Sequence, residues 1–243
     1  MPSYVLHLTS AQMLLNRLPQ SDSLVSDPIC RNEFLTGNLM PDATDNKART
    51  HFRNPAYRTK IMEYPDLNVF RSKYYSHLGN AFCLGYYFHL YIDRKFFKDY
   101  IPLVAEFFTE DGQITDERSL VSVTHLLRQD KYIPFSEYLS DLYYYGDYTK
   151  MSGYLSRKFQ LPAQLAEPDP DRWNDPLLRE LCCGTMTELL NDLKNYSSVP
   201  GEAVSDLKVF DIDDLLAFLE QQVLEFLSEM QKFRQNSVFP PSK

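Results

Sequence analysis

Residues 81–93 read AFCLGYYFHLYID, from Ala81 to Asp93. Wound at 3.6 residues per turn, this stretch is apolar on nearly every side. A helix of that kind is buried, so the segment predicts a central helix with the rest of the chain packed around it. The helical reading extends over residues 76–100, with an interruption near Asp93. His89 and Asp93 stand four apart and leave the same face of this greasy helix. Burying two unpaired polar groups costs several kcal/mol, so the pair needs a partner. A metal ion satisfies both at once; alternatively the two satisfy each other, or Asp93 pairs with Arg94 or a distant arginine.

Outward from this helix, the periodicity stays helical. Ser10 to Leu18 forms a helix that ends at Pro19, and Asp27-Pro28 opens a second, running to about Leu35. From Gly37 the chain turns irregular (GNLMPDATDNKARTHFRNP), rich in turn formers. Pro65 opens a helix to about Tyr75. Further helices are expected over Thr115–Arg128, over Phe135–Phe159 with a break at Gly146, and from Asp175-Pro176 to about Asn195. Asp211–Gln235 is the clearest amphipathic helix, acidic at its start and basic at its end, as the helix dipole favours. Residues 161–173 hold three prolines and read as an internal loop, and VFPPSK reads as a tail. No strand alternation stands out. The expectation is an all-α fold in one domain over residues 1–243, with a candidate metal-site half at about 1–130 and C-terminal helices at about 131–235.

Composition narrows the function classes. Lys plus Arg is 25 against 33 Asp plus Glu, a net charge of −8. That balance argues against broad binding to nucleic acid or anionic membrane, so no stable nucleic-acid partner is expected. With 8 glycines and neither G-x-G-x-x-G nor G-x-x-x-x-G-K-[ST], Gly-rich nucleotide folds have no support. Cys30, Cys83, Cys182 and Cys183 form no C-x-x-C, so they read as small apolar residues in a reducing compartment rather than as zinc ligands. The first 15 residues lack the pattern of a signal peptide, and no apolar run approaches the ~18 residues of a membrane span. A cytoplasmic protein without a transmembrane segment is the expectation.

The chain holds five histidines: His7, His51, His77, His89 and His125. Asp42 and His51 lie in the irregular segment, where polar side chains are presented from a rigid scaffold. Asp42 read alone is a turn cap, His51 alone an exposed residue, and His7, between Leu6 and Leu8, a satisfied core histidine. Together, His7, Asp42, His51, His89 and Asp93 supply three imidazoles and two carboxylates. That set suits Zn²⁺ with an open position for water, and Asp93 could bridge two ions in a centre that hydrolyses phosphate esters. An HD-type phosphohydrolase needs an adjacent His-Asp dipeptide, and none occurs.

In order along the chain come His7; Gly37, Asn38, Pro41 and Asp42; Thr50 and His51; then Leu84, Gly85, Tyr86, His89 and Asp93. This order resembles the zinc-dependent phospholipase C family, which is all-α and shares its fold with single-strand-specific zinc nucleases. The resemblance spans residues 1–100 and is most specific around His89 and Asp93. It implies a multi-helix bundle around the central helix and one zinc held by Asp42, His51, His89 and Asp93. Asp93 would bridge to a second zinc that His7 also binds. Asp42 is the implied residue for orienting or deprotonating the attacking water. After Asp93 the chain departs from the family: Arg94-Lys95-Phe96-Phe97-Lys98-Asp99 has no histidine, leaving Asp99, His125 and Asp130 as substitutes and one or two ions rather than three. The implied substrate is a small phosphoester or a phospholipid head group. The rival expectation is a non-catalytic helical protein with a structural metal or a His–Asp network.

Overall fold

The computed structural model describes residues 3–238 apart from Asp45, Cys183, Thr185 and Ser197. It is mostly helical, with one small sheet. The elements run α1 (Tyr4–Arg17), α2 (Ser23–Ser26), α3 (Pro28–Leu39), α4 (Lys47–Thr50), α5 (Leu67–Tyr74), α6 (Ala81–Lys95), β1 (Ala105–Phe108), β2 (Val123–Leu126), β3 (Lys131–Pro134), α7 (Phe135–Tyr138), α8 (Tyr144–Lys158), α9 (Pro176–Leu181), α10 (Thr187–Tyr196) and α11 (Ile212–Val238).

Helix starts follow the capping chemistry of the sequence. Asp27 accepts from the Ile29 amide ahead of Pro28, Asp66 from Asn68, Asn80 from Cys83, and Asp175 from Leu177. Every residue of α6 from Ala81 to Asp93 is buried. α6 then continues into a π-helical turn, Phe96–Tyr100, which explains the interruption read near Asp93.

The closest packing is between α3 and α6. A Cβ built on Gly37 would collide with the Phe82 backbone, and one on Gly85 with the Phe34 carbonyl, at 2.9 Å from the Asn38 nitrogen. Two glycines facing each other's helix let the backbones meet without side chains between them. Helix α3 therefore extends through Gly37 to Leu39, past the end at Leu35 expected from turn propensity, because packing against α6 outweighs the intrinsic cost of glycine.

The all-α expectation is corrected over residues 105–134. In place of a helix over Thr115–Arg128, β1, β2 and β3 form an antiparallel sheet in the order β1-β2-β3, pairing Glu106 with His125 and His125 with Tyr132. Burial alternates with period two: Ala105 and Phe107 point inward, as do Thr124 and Leu126. The β-branched Val123 and Thr124 favour this pleated surface, and the capping appearance of Thr115 misled. The long helix expected over Phe135–Phe159 is split into α7 and α8, and the one over Pro176–Asn195 into α9 and α10.

Cys83 is buried within α6, and Cys30 sits half-buried with Sγ 3.3 Å from Asp27 Oδ2. Cys183 and all but the first residue of the expected tail lie outside the described residues. Among the described residues no helix is long and apolar enough to cross a membrane.

Candidate metal centre

Four segments deliver the five candidate ligands to one place. His7 comes from the first turns of α1. Asp42 ends the short 3₁₀ turn Met40–Asp42 that follows α3, and His51 directly follows α4. His89 and Asp93 share one face of α6. Their side chains are buried: His7 and His89 are 0% exposed, His51 and Asp93 1%, and Asp42 3%.

The irregular segment is held by named contacts. The Thr50 hydroxyl donates to the Pro41 carbonyl at 2.8 Å, which ties Asp42's turn to His51's. The Tyr86 hydroxyl, from α6, donates to the Thr50 carbonyl at 2.7 Å. Asp42 and His51 are thereby fastened to the helix that carries His89 and Asp93.

Two backbone carbonyls set the imidazole tautomers. His89 Nδ1 lies 2.7 Å from the Asn38 carbonyl, and His51 Nδ1 lies 3.0 Å from the Lys47 carbonyl. A carbonyl only accepts, so each Nδ1 carries a proton, and in the neutral ring the lone pair is then at Nε2. Those two Nε2 atoms face each other at 3.1 Å. Around them, Asp93 Oδ2 lies 3.3 Å from His51 Nε2 and 3.6 Å from His89 Nε2, and Asp42 Oδ1 lies 3.5 Å from His51 Nε2. On the other side, His7 Nε2 lies 3.2 Å from Asp93 Oδ1 yet out of line for a hydrogen bond. Both His7 nitrogens, Asp42 Oδ1 and Asp93 Oδ1 are buried without a hydrogen-bond partner.

Converging buried acceptors repel one another unless a cation lies among them. Tetrahedral coordination with metal–ligand bonds of about 2.0–2.2 Å places ligand atoms about 3.3–3.6 Å apart, close to the 3.1 to 3.6 Å that separate these atoms. Two overlapping groups can hold a metal ion: His7, His89 and Asp93; and Asp42, His51 and His89. The Lys47 and Asn38 carbonyls that accept from Nδ1 of His51 and His89 are the outer contacts such sites use to orient imidazole ligands.

The electrostatics agree. Burial, with the neighbouring His7 adding, lowers His89 to about 3, so its imidazole is neutral at ordinary pH. Burial alone would raise Asp93, but the surrounding imidazoles, His89 foremost, outweigh it and hold the carboxyl at about 2. Asp42 is likewise held well below the carboxylate range against the effect of burial, by His51, His89 and His7. Asp42, His89 and Asp93 are therefore in the protonation states that bind cations.

The remaining candidates lie elsewhere. His77 Nε2 pairs with Asp175 Oδ2 at 2.7 Å. Asp99 sits 3.7 Å from Lys95 Nζ. His125 is on strand β2 rather than in the helix expected over Thr115–Arg128; it bonds Asp130 at 2.9 Å and stacks on Tyr132. None of these joins either ligand group among the described residues. Arg94 donates to the Pro65 carbonyl and Lys95 to Glu225, so both tie the helix end to its neighbours. The Tyr143 ring already faces Lys131 Nζ.

Sequence reasoning missed Lys47. Its ammonium lies 3.3 Å from Asp42 Oδ1 and its side chain is 38% exposed, so it links the buried cluster to the surface. A lysine in a turn-rich segment carries no signal until the fold places it. Compared with protein-family models, curated proteins and solved structures, the chain matches none.

Proposed function

We propose that this protein is a zinc-dependent hydrolase of phosphate esters, similar in its chemistry to phospholipase C. The observation that carries the reading is the Asp93 carboxylate, with Oδ1 on the His7 side and Oδ2 facing His51 and His89. A carboxylate shared in this way would hold two ions side by side. Imidazole and carboxylate ligands without thiolate suit zinc: Asp42, His51, His89 and Asp93 would form the set for one ion, and His7 with the other oxygen of Asp93 that for a second. Zinc in such a site polarises a phosphoryl oxygen and brings the pKa of a water in an open position to about 7.

The chain's own residues supply the rest. Asp42, ionised and beside the half-exposed Lys47, is the acceptor that orients the attacking water. Lys47 brings a positive charge to the mouth of the cluster, where an anionic ester must enter against the net charge of −8. The Asn38 and Lys47 carbonyls hold His89 and His51 in a single tautomer throughout.

A structural role for the same ion is the second reading. The near-complete burial of His7, His51, His89 and Asp93 favours it, because a closed site leaves no position for substrate. Zinc per chain after chelator-free purification, together with zinc-dependent hydrolysis of bis(p-nitrophenyl) phosphate and p-nitrophenyl phosphate, separates the two. The hydrolase reading expects bound zinc and turnover, both lost in His89→Ala with the helical circular-dichroism spectrum retained. Bound zinc without turnover leaves the structural role; a chain that takes up no zinc removes both.

A further inference from the structure

One cavity, about 200 Å³ in volume, takes two of its lining residues from segments that carry metal-ligand candidates. Arg53 lies two residues beyond His51, and Phe97 one turn beyond Asp93. The cavity floor is partly aromatic, with Phe97, Phe135 and Tyr145 in the lining. Tyr138 is fully buried and its hydroxyl has no hydrogen-bond partner.

The rim is basic. Arg53 is held by Glu63 at 3.2 Å, whereas Arg118 is exposed and has no carboxylate partner among the described residues. On a chain of net charge −8, a guanidinium without a counter-ion beside an aromatic floor creates a local preference for anions. The volume is below the ~300–1,000 Å³ of sites for drug-sized ligands, so one ring fits and a nucleotide or a pair of acyl chains does not.

We infer that this cavity selects the organic group of the substrate: a small phosphate ester carrying a single aromatic ring, with the ring against Phe97, Phe135 and Tyr145 and an anionic oxygen on Arg118. The choice of a phosphate rests on the hydrolase reading above. The selection itself belongs to the cavity and is read by binding alone.

Calorimetric titration of the full chain, with and without zinc, uses three probes: phenylphosphonate, methylphosphonate and adenosine monophosphate. Phenylphosphonate should bind about tenfold or more tighter than methylphosphonate, because only the former buries a ring, and more tightly than the nucleotide. Arg118→Ala, an exposed change that leaves the core intact, should weaken phenylphosphonate about tenfold, with partial recovery in Arg118→Lys. Equal affinity for the phenyl and methyl probes, or an Arg118→Ala variant that binds as wild type, overturns the inference even if the protein hydrolyses phosphoesters. A phenyl preference that depends on Arg118 in a protein without turnover supports the cavity and sinks the hydrolase reading instead.

Discussion

Replacing Gly85 with alanine should damage the metal centre from a distance. In an exposed helix, Gly→Ala stabilises by about 0.5–1 kcal/mol, because alanine loses less backbone freedom on folding. Here the new methyl would overlap the Phe34 carbonyl oxygen and lie 2.9 Å from the Asn38 nitrogen. Both obstacles are backbone, so no side chain can rotate aside and α3 must withdraw from α6. Overpacking a core costs about 1–3 kcal/mol or more, which exceeds the propensity gain, so the net change is a loss. The withdrawal also moves the Asn38 carbonyl, now 2.7 Å from His89 Nδ1. A shift of about 1 Å takes that contact to about 3.7 Å, beyond a hydrogen bond. Losing an outer partner of a ligand imidazole lowers metal affinity about 10–100-fold. Urea unfolding and competitive zinc titration measure the two effects. Gly112→Ala is the control: its φ of 80° strains alanine, but nothing lies within 4 Å, so it should cost stability without touching zinc affinity. A Gly85→Ala protein as stable as wild type, with unchanged zinc affinity, would refute the reasoning.

Thr50→Val keeps the shape but removes the hydroxyl that joins the turns of Asp42 and His51. It should cost about 1 kcal/mol in urea unfolding and weaken zinc in competitive titration. Acid should destabilise the metal-free protein early. His89 falls to about 3 when folded against 6.5 as its reference, so the unfolded chain binds the extra proton and stability declines as pH drops below 6.5; Asp93, at about 2 against 3.8, adds its loss between those values. Thermal melts in chelator across pH 7.5 to 4.5 check this, and a flat profile contradicts the burial of neutral His89. Asp147 accepts from the amides of Lys208, Val209 and Phe210, so Asp147→Ala orphans three donors. The expected loss is about 3 kcal/mol or more with zinc affinity unchanged, measured by the same two assays.

Much of the candidate site could be read along the chain. His89 and Asp93 were conspicuous because two polar residues, four apart, interrupt an otherwise apolar helix, and the 3.6-residue period places them on one face. His7, Asp42 and His51 became interpretable only as a set, since each alone has an ordinary explanation. The strands were not legible: β1, β2 and β3 have four residues each, too short for alternation to stand out from helical noise. Asn38 was visible as part of a pattern, but its role lies in a main-chain carbonyl that any residue type could present.

The amino-acid order by itself determined the buried central helix, the caps and prolines that start and stop its neighbours, and the identity of the ligand candidates, because these depend on local periodicity and side-chain chemistry. Tertiary structure decided everything that depends on distance between segments far apart in sequence. Gly37 and Gly85 bring two backbones together, two carbonyls choose the imidazole tautomers, and Lys47 and Arg118 gain meaning from what surrounds them. Such facts arise from packing, which local pattern does not encode.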